Sequence, residues 1–322
     1  MDRRTFLSCL AVAFGTGCSL GSGELTVGSK NFTEQLILGE ILKQSLESAC
    51  HAPVEGRFYL AGTYICQQAI LAGRIDTYVE YTGTAMAAIL KDRISGDAAS
   101  VLESVRQQYK RRFNLEVMPP LGFNNSFAMV MRPDESRTLG VKTLSELAPV
   151  SPQLKLGVGY EFLERADGYQ GLVRTYGLRF AEAPRVMDLG LLYRALENKS
   201  VDIVAGNNTD GLIAARGLVV LEDDKHYFPP YDAVPIVRPE LFDKCAQAQK
   251  TFAALAGRIS ADQMRAMNYA VDGQKKDAAA VAHDFLARIA TNENPRPSKS
   301  ASTPTCAKSA LVGDPGLDGA PS

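Results

Sequence analysis

Tryptophan is absent from this chain, and its three histidines, His51, His226 and His283, are widely scattered. Neither a Cys-x-x-Cys nor a Cys/His pair at ligand spacing occurs, so a zinc site has no basis in the sequence and no metal is expected. Charge of either sign is not in excess. The 35 basic and 36 acidic residues give a formal net charge of −1, which announces neither a basic face for nucleic acid nor a polyanionic surface. The apolar run Phe6–Phe14 is too short for a membrane-spanning helix, which needs about 20 residues. Catalytic signatures are missing as well. There is no Ser-His-Asp order, G-x-S-x-G, HExxH or P-loop, and "GVGYEF" lacks the third glycine of a dinucleotide fingerprint. No catalytic residue and no cofactor is expected.

What is present is an ordinary globular mixture: 322 residues, 46% hydrophobic and 22% charged, enough for one large domain or two lobes. Residues 1–23 are laid out as an export signal, with Arg3 and Arg4, a short apolar run, and small residues ending at Cys18. Thr16-Gly17-Cys18 resembles a lipobox, which would make Cys18 the lipid-bearing first residue of an anchored mature protein. Gly15 stands where that pattern prefers an aliphatic residue, so plain secretion stays open, and "RRTFL" leaves a twin-arginine route open. Either route places the mature chain in the periplasm or on the outer face of the cytoplasmic membrane. Beyond Cys18 come Cys50, Cys66, Cys245 and Cys306. In an oxidising compartment Cys50 and Cys66, each at the edge of an expected helix, can pair; buried free thiols are the other reading.

From Glu24 the segments alternate. "ELTVGS" reads as a strand, Asn31–Ala49 as an amphipathic helix with Thr33 as its cap, "VEGRFYL" as a strand, and Thr63–Ala72 as a helix ended by Gly73. "IDTYVEY" is the next strand, followed by helices over Thr84–Lys91 and Ala98–Arg112. This rhythm predicts an α/β fold with a mainly parallel sheet covered on both faces. At "SFAMVMR" a second block begins. It holds helix 144–147, strand "KLGVG", helices 168–176 and 189–197, strand "VDIVAG" and a helix start at Thr209. "HYFPPYDAVPIVR" reads as a loop, and helices over Glu240–Gly257, Ala261–Asp272 and Ala278–Ala290 return to finish the first block. The expected lobes are therefore 24–126 with 231–290, and 127–230, joined by two crossing strands. Residues 291–322, rich in Pro, Ser, Gly and Thr, read as a disordered tail.

Ligands of open α/β sheets sit at the carboxyl ends of strands, beside the free amides of helix N-termini. Several strand exits here carry chemistry. "GSKNFTE" offers Lys30, "EYTGT" offers Tyr81 and Thr84, "GFNNSF" offers Asn124, Asn125 and Phe127, and "YEFLER" offers Arg165. Singly, each reads equally as a surface charge, core ring or turn residue. Together they fall at one end of the sheet, and two cations, a hydroxyl and ring faces suit a small ligand with an anionic group and a soft cation.

The stretches "VGSKNFTEQLILGEIL", "AGTYICQQAILAGRIDTYVEYTGTAMAAIL", "LGFNNSFAM", "YEFLERADGYQGL", "MDLGLLYRAL", "NTDGLIAA", "LVVLEDDKHYFPPYDAVPIVR" and "MNYAVDGQKKDAAAVAHDFL" resemble the glycine betaine/choline/carnitine substrate-binding proteins of osmoprotectant ABC importers, from about Leu25 to Leu286. The resemblance implies a type II periplasmic-binding-protein fold, closing two lobes over a zwitterionic quaternary amine. It implies carboxylate contacts from Lys30, Thr84 and Arg165, ring faces from Tyr81 and Tyr231, and Phe127 where a tyrosine is usual. Asn125 would support the cage, and Asn207 stands where a further aromatic is usual, which opens one wall. Tyr160 is a candidate substitute face. The implied partners are an ABC permease and its ATPase, with the protein acting as a monomer held to the membrane by a lipid at most. Two other classes share this fold as alternative readings: an enzyme, and a sensory or scaffold module.

Overall fold

The computed structural model describes residues 24–92 and 97–291. The segment read as an export signal with Cys18, and the residues beyond Thr291 with Cys306, lie outside the described residues. Among the described residues, ten strands form two mixed sheets. The first comprises β1 (Leu25–Gly28), β2 (Val54–Arg57), β3 (Thr77–Tyr81), β4 (Glu116–Val117) and β10 (Ala233–Val237), in the order β2-β1-β3-β10-β4. The second comprises β5 (Phe127–Met131), β6 (Leu156–Val158), β7 (Arg185–Val186), β8 (Ile203–Asn207) and β9 (Val219–Val220), in the order β7-β6-β8-β5-β9.

The expected parallel pairing holds for β1 with β2 and β3, and for β6 with β7 and β8. It fails for β10 and β5, which run antiparallel to both of their neighbours. These are the strands that the chain enters after crossing from the other sheet, so their direction follows from the crossing. The segment read as a loop, "HYFPPYDAVPIVR", in fact supplies β10. Pro235 lies in that strand opposite Val79, and its carbonyl accepts the Met118 amide at 2.9 Å. The two crossings run side by side: Asn125 N donates to Tyr231 O at 3.0 Å, and Ala233 N donates to Phe123 O at 3.2 Å.

Each sheet is buried on both faces because its strands alternate toward two apolar clusters. In β3 and β10, Val79, Ala233 and Val237 face the cluster under helix Thr33–Cys50 and the C-terminal helices Ala248–Leu255, Ala261–Asp272 and Ala278–Ala290. Tyr78, Val234 and Ile236 face the opposite cluster, under helices Thr63–Leu71 and Ala98–Phe113. This geometry decides the cysteines. Cys66 lies fully buried in the second cluster, and burial pushes its thiol up to about 12. Cys50 packs on the first cluster and bonds Cys245, with Cα atoms 5.6 Å apart. The Cys50–Cys66 pairing is thus corrected: the sheet stands between them.

Other boundaries move for local reasons. The long helix expected over 240–257 breaks into Glu240–Lys244 and Ala248–Leu255 at Cys245, whose extended backbone carries the disulfide. Phe32, not Thr33, caps helix Thr33–Cys50, while Thr33 Oγ1 donates to Asp272 Oδ1 at 2.6 Å. The helix expected over 84–91 is a single α turn, Thr82–Thr84, widening into a π-helical stretch, Ala85–Leu90.

Candidate functional site

Strand ends of both sheets and the crossing segments open onto one cavity of about 550 Å³. Lys30 follows β1, Tyr81 ends β3 and Thr84 follows it, Asn125 precedes β5, and Phe127 begins it. Arg165 follows the short helix Tyr160–Glu164 after β6, Asn207 ends β8, and Tyr231 lies on the return crossing. All eight line that cavity. Tyr160 lines it too, but from an exposed position at the mouth.

The local backbone explains the placements. Helix Tyr160–Glu164 stops at Arg165, where the chain turns extended and carries the guanidinium inward. Phe127 and Asn207 are direct partners across the β5–β8 ladder, so ring and amide share one face. Asp210 fixes the β8 exit by accepting Asn207 N at 2.9 Å and Tyr193 Oη at 2.5 Å.

The electrostatics are more tightly paired than the sequence suggests. Lys30 donates to the fully buried Glu80, and its ammonium lies 4.9 Å from the centre of the Tyr81 ring. Burial raises the Glu80 carboxyl, with the Lys30 charge opposing. Arg165 is gripped by Asp167, from Nε to Oδ1 and from Nη2 to Oδ2. Its guanidinium stands 4.9 Å from the Phe127 ring centre and 5.7 Å from that of Tyr231. The side edge of the guanidinium is therefore committed to Asp167, leaving Nη1 as the end that carries no hydrogen bond to the described residues. Tyr231 Oη donates to the same Asp167 at 2.6 Å. Phe127 also packs edge-on to Phe162, centroids 4.9 Å apart, which locks the ring.

Sequence reasoning missed a buried carboxylate behind this wall. Glu34 accepts four hydrogen bonds: Tyr81 Oη at 2.6 Å, Asn125 Nδ2 at 2.8 Å, Thr209 Oγ1 at 2.5 Å and Asn268 Nδ2 at 3.1 Å. Burial raises its pKa while these four donors hold it down. Because Thr209 follows β8 of the second sheet, Glu34 ties the two halves together. Glu161 makes a second tie, accepting the amide of Thr63 at the start of helix Thr63–Leu71 at 2.5 Å. The acid spacing after Lys30 and the "RAD" in "FLERADG" were the available signals for Glu34 and Asp167.

Comparison with known proteins adds independent findings. The family described as the substrate-binding domain of ABC-type glycine betaine transport systems matches residues 23–288. A carnitine transport binding protein of Listeria monocytogenes is 34% identical over 281 residues, covering 85% of this chain and 91% of that protein. An ergothioneine transport permease/ergothioneine binding protein of Helicobacter pylori is 34% identical over 266 residues, covering 82% of this chain but 47% of that protein. A solved structure of a glycine betaine/carnitine/choline ABC transporter superposes with a TM-score of 0.68 at 31% identity, covering 83% of this chain and 99% of the other. A family match over most of the chain and a relative above 30% identity on nearly its full length agree with the two-sheet fold. The chain belongs to the family of substrate-binding domains of ABC-type glycine betaine transport systems.

Proposed function

We propose that this chain captures a quaternary ammonium compound, of the kind represented by glycine betaine, choline and carnitine, and delivers it to an ABC permease and its ATPase. The observation that carries this reading is the convergence of Tyr81, Phe127 and Tyr231 with two internally paired cations, Lys30 and Arg165, on one cavity between two sheets. Ring faces attract a methylated ammonium, which is weakly hydrated, by roughly 0.5–2 kcal/mol each once water is excluded. A carboxylate on the same ligand would meet Lys30, the Thr84 hydroxyl and the open end of Arg165. Asn125 and Asn207 would shape the remaining wall, with Asn125 held by Glu34.

The protein would work as a monomer outside the cytoplasmic membrane, tethered through a lipid on Cys18, and would release its ligand chemically unchanged. Among the described residues, no helix is long and apolar enough to cross a membrane.

A thermal-shift screen of quaternary amines tests the central claim, because a ligand that binds only the native state raises Tm with the logarithm of its saturation. A rise with at least one of glycine betaine, choline or carnitine is expected. Absence of any shift at millimolar ligand would defeat the proposal. Recovery of intact ligand after prolonged incubation tests the non-catalytic part.

A further inference from the structure

We infer that the ligand is bulkier than glycine betaine: a quaternary ammonium compound bearing an apolar or aromatic group, which seats between Ile65 and the Val186–Leu189 segment. This rests on the proposed function and adds a second, outer subsite to it.

The cavity is graded from inside to outside. Its inner end is closed, with Lys30 3%, Arg165 5% and Tyr231 2% exposed. Its outer end is apolar and open, with Ile65 52% and Val186 51% exposed. Ile65 comes from helix Thr63–Leu71 beside the first sheet, whereas Val186, Met187 and Leu189 come from edge strand β7 and the turn after it. Large apolar side chains from both halves thus line the same cavity, and those exposed at it meet water unfavourably.

Volume points the same way. At about 550 Å³ the cavity is in the range of roughly 300–1,000 Å³ that encloses drug-sized ligands. A trimethylammonium group and a two-carbon acid occupy only the inner end of such a space. Asn207 enlarges it further, since an amide stands opposite Phe127 on the shared face.

Polar groups also stand at the mouth, among them the exposed Tyr160 and two carboxylates, each of which accepts from backbone. Glu161 accepts from Thr63 N, and Asp188 accepts from Gly190 N at 2.9 Å. These two carboxylates repel an anion, so the added group carries no negative charge and takes its contact from the apolar side chains beside them.

The test is a calorimetric series on the exported protein with the N,N,N-trimethyl betaines of glycine, alanine, leucine and phenylalanine. Affinity is expected to rise along the series, with the phenylalanine betaine about tenfold or more tighter than glycine betaine. Ile65→Trp and Val186→Trp, each made separately to fill the outer space from one side, are expected to bring that ratio back toward one. Glycine betaine binding as tightly as, or more tightly than, the bulky members overturns this inference while leaving the proposed function standing. A ratio unmoved by both tryptophan variants also overturns it, because the added group would then lie elsewhere. If no member of the series binds, and choline and carnitine fail as well, the proposed function falls and this inference with it.

Discussion

Asp167 holds Arg165 by two hydrogen bonds, Nε to Oδ1 at 2.9 Å and Nη2 to Oδ2 at 2.5 Å, so the guanidinium is fixed in plane before any ligand arrives. Preorganisation of this kind removes an ordering cost from binding. Arg165→Ala should weaken glycine betaine about a hundredfold or more, since each hydrogen bond to a charged group contributes roughly 1.5–3 kcal/mol. Asp167→Asn should weaken it about tenfold by loosening the guanidinium, with choline, which has no carboxylate, losing less in both variants. Calorimetry with the two ligands decides it. Unchanged glycine betaine affinity in Arg165→Ala would remove the residue from the carboxylate pole.

Asn207 tests the opened wall. Its side chain shares a face with Phe127, so Asn207→Tyr places a ring beside the existing faces. One added cation–π contact is worth roughly 0.5–2 kcal/mol, so small trimethylammonium ligands should bind up to about tenfold more tightly. A flat or weakened titration would show that this position does not face the ammonium.

Asp210 makes stability depend on pH. Its carboxyl is pushed from 3.8 up to about 7, by burial first, against hydrogen bonds from Tyr193 and the Asn207 amide and with Glu34 and Asp272 adding to the rise. A raised value means that the native state keeps a proton the unfolded chain has lost. The resulting stabilisation is complete below the unfolded value near 3.8 and disappears as pH climbs through about 7. Part of the side chain still meets solvent, so the effect is shallow. The Tm of the wild type should fall by a few degrees more than that of Asp210→Asn between pH 5 and 8. Parallel melting curves for the two proteins would count against it.

The Cys50–Cys245 bond joins positions 195 residues apart, and constraining so long a loop in the unfolded chain stabilises a protein by about 2–4 kcal/mol. Replacing both cysteines with serine should lower Tm by several degrees while changing ligand affinity less than threefold, because neither residue lines the cavity. Equal melting temperatures in oxidised protein and double variant would show that the bond contributes nothing.

How legible all this is in the sequence depends on the range of the interaction. Tyr81 ends a strand and Lys30 and Thr84 follow strands within a few residues, so local pattern places them at the same sheet end that the structure does. The C-terminal helices Ala261–Asp272 and Ala278–Ala290 match their expected bounds because capping residues Ser260 and Asp277 mark their starts. Glu34 escapes because an acid in the first turn of a helix looks like a solvated charge. Only folding brings Asn125, Thr209 and Asn268 to it from 91, 175 and 234 residues away. Strand β10 escapes because Pro235, with two further prolines just before the strand, mimics a loop. Cys245 is hidden for the same reason as Glu34, since its partner lies 195 residues back.

The strand order of the first sheet has a consequence for how the molecule matures. β3 and β4 are not neighbours; β10 lies between them, and it arrives only at Ala233. The second sheet is drawn from one uninterrupted stretch, Phe127 to Val220. In a polypeptide that emerges from its N-terminus, the segments that appear first must therefore idle as an unfinished half, while the later-arriving middle zips up on its own. Completion runs opposite to delivery, and the ligand chamber exists only after the final third of the chain has been received.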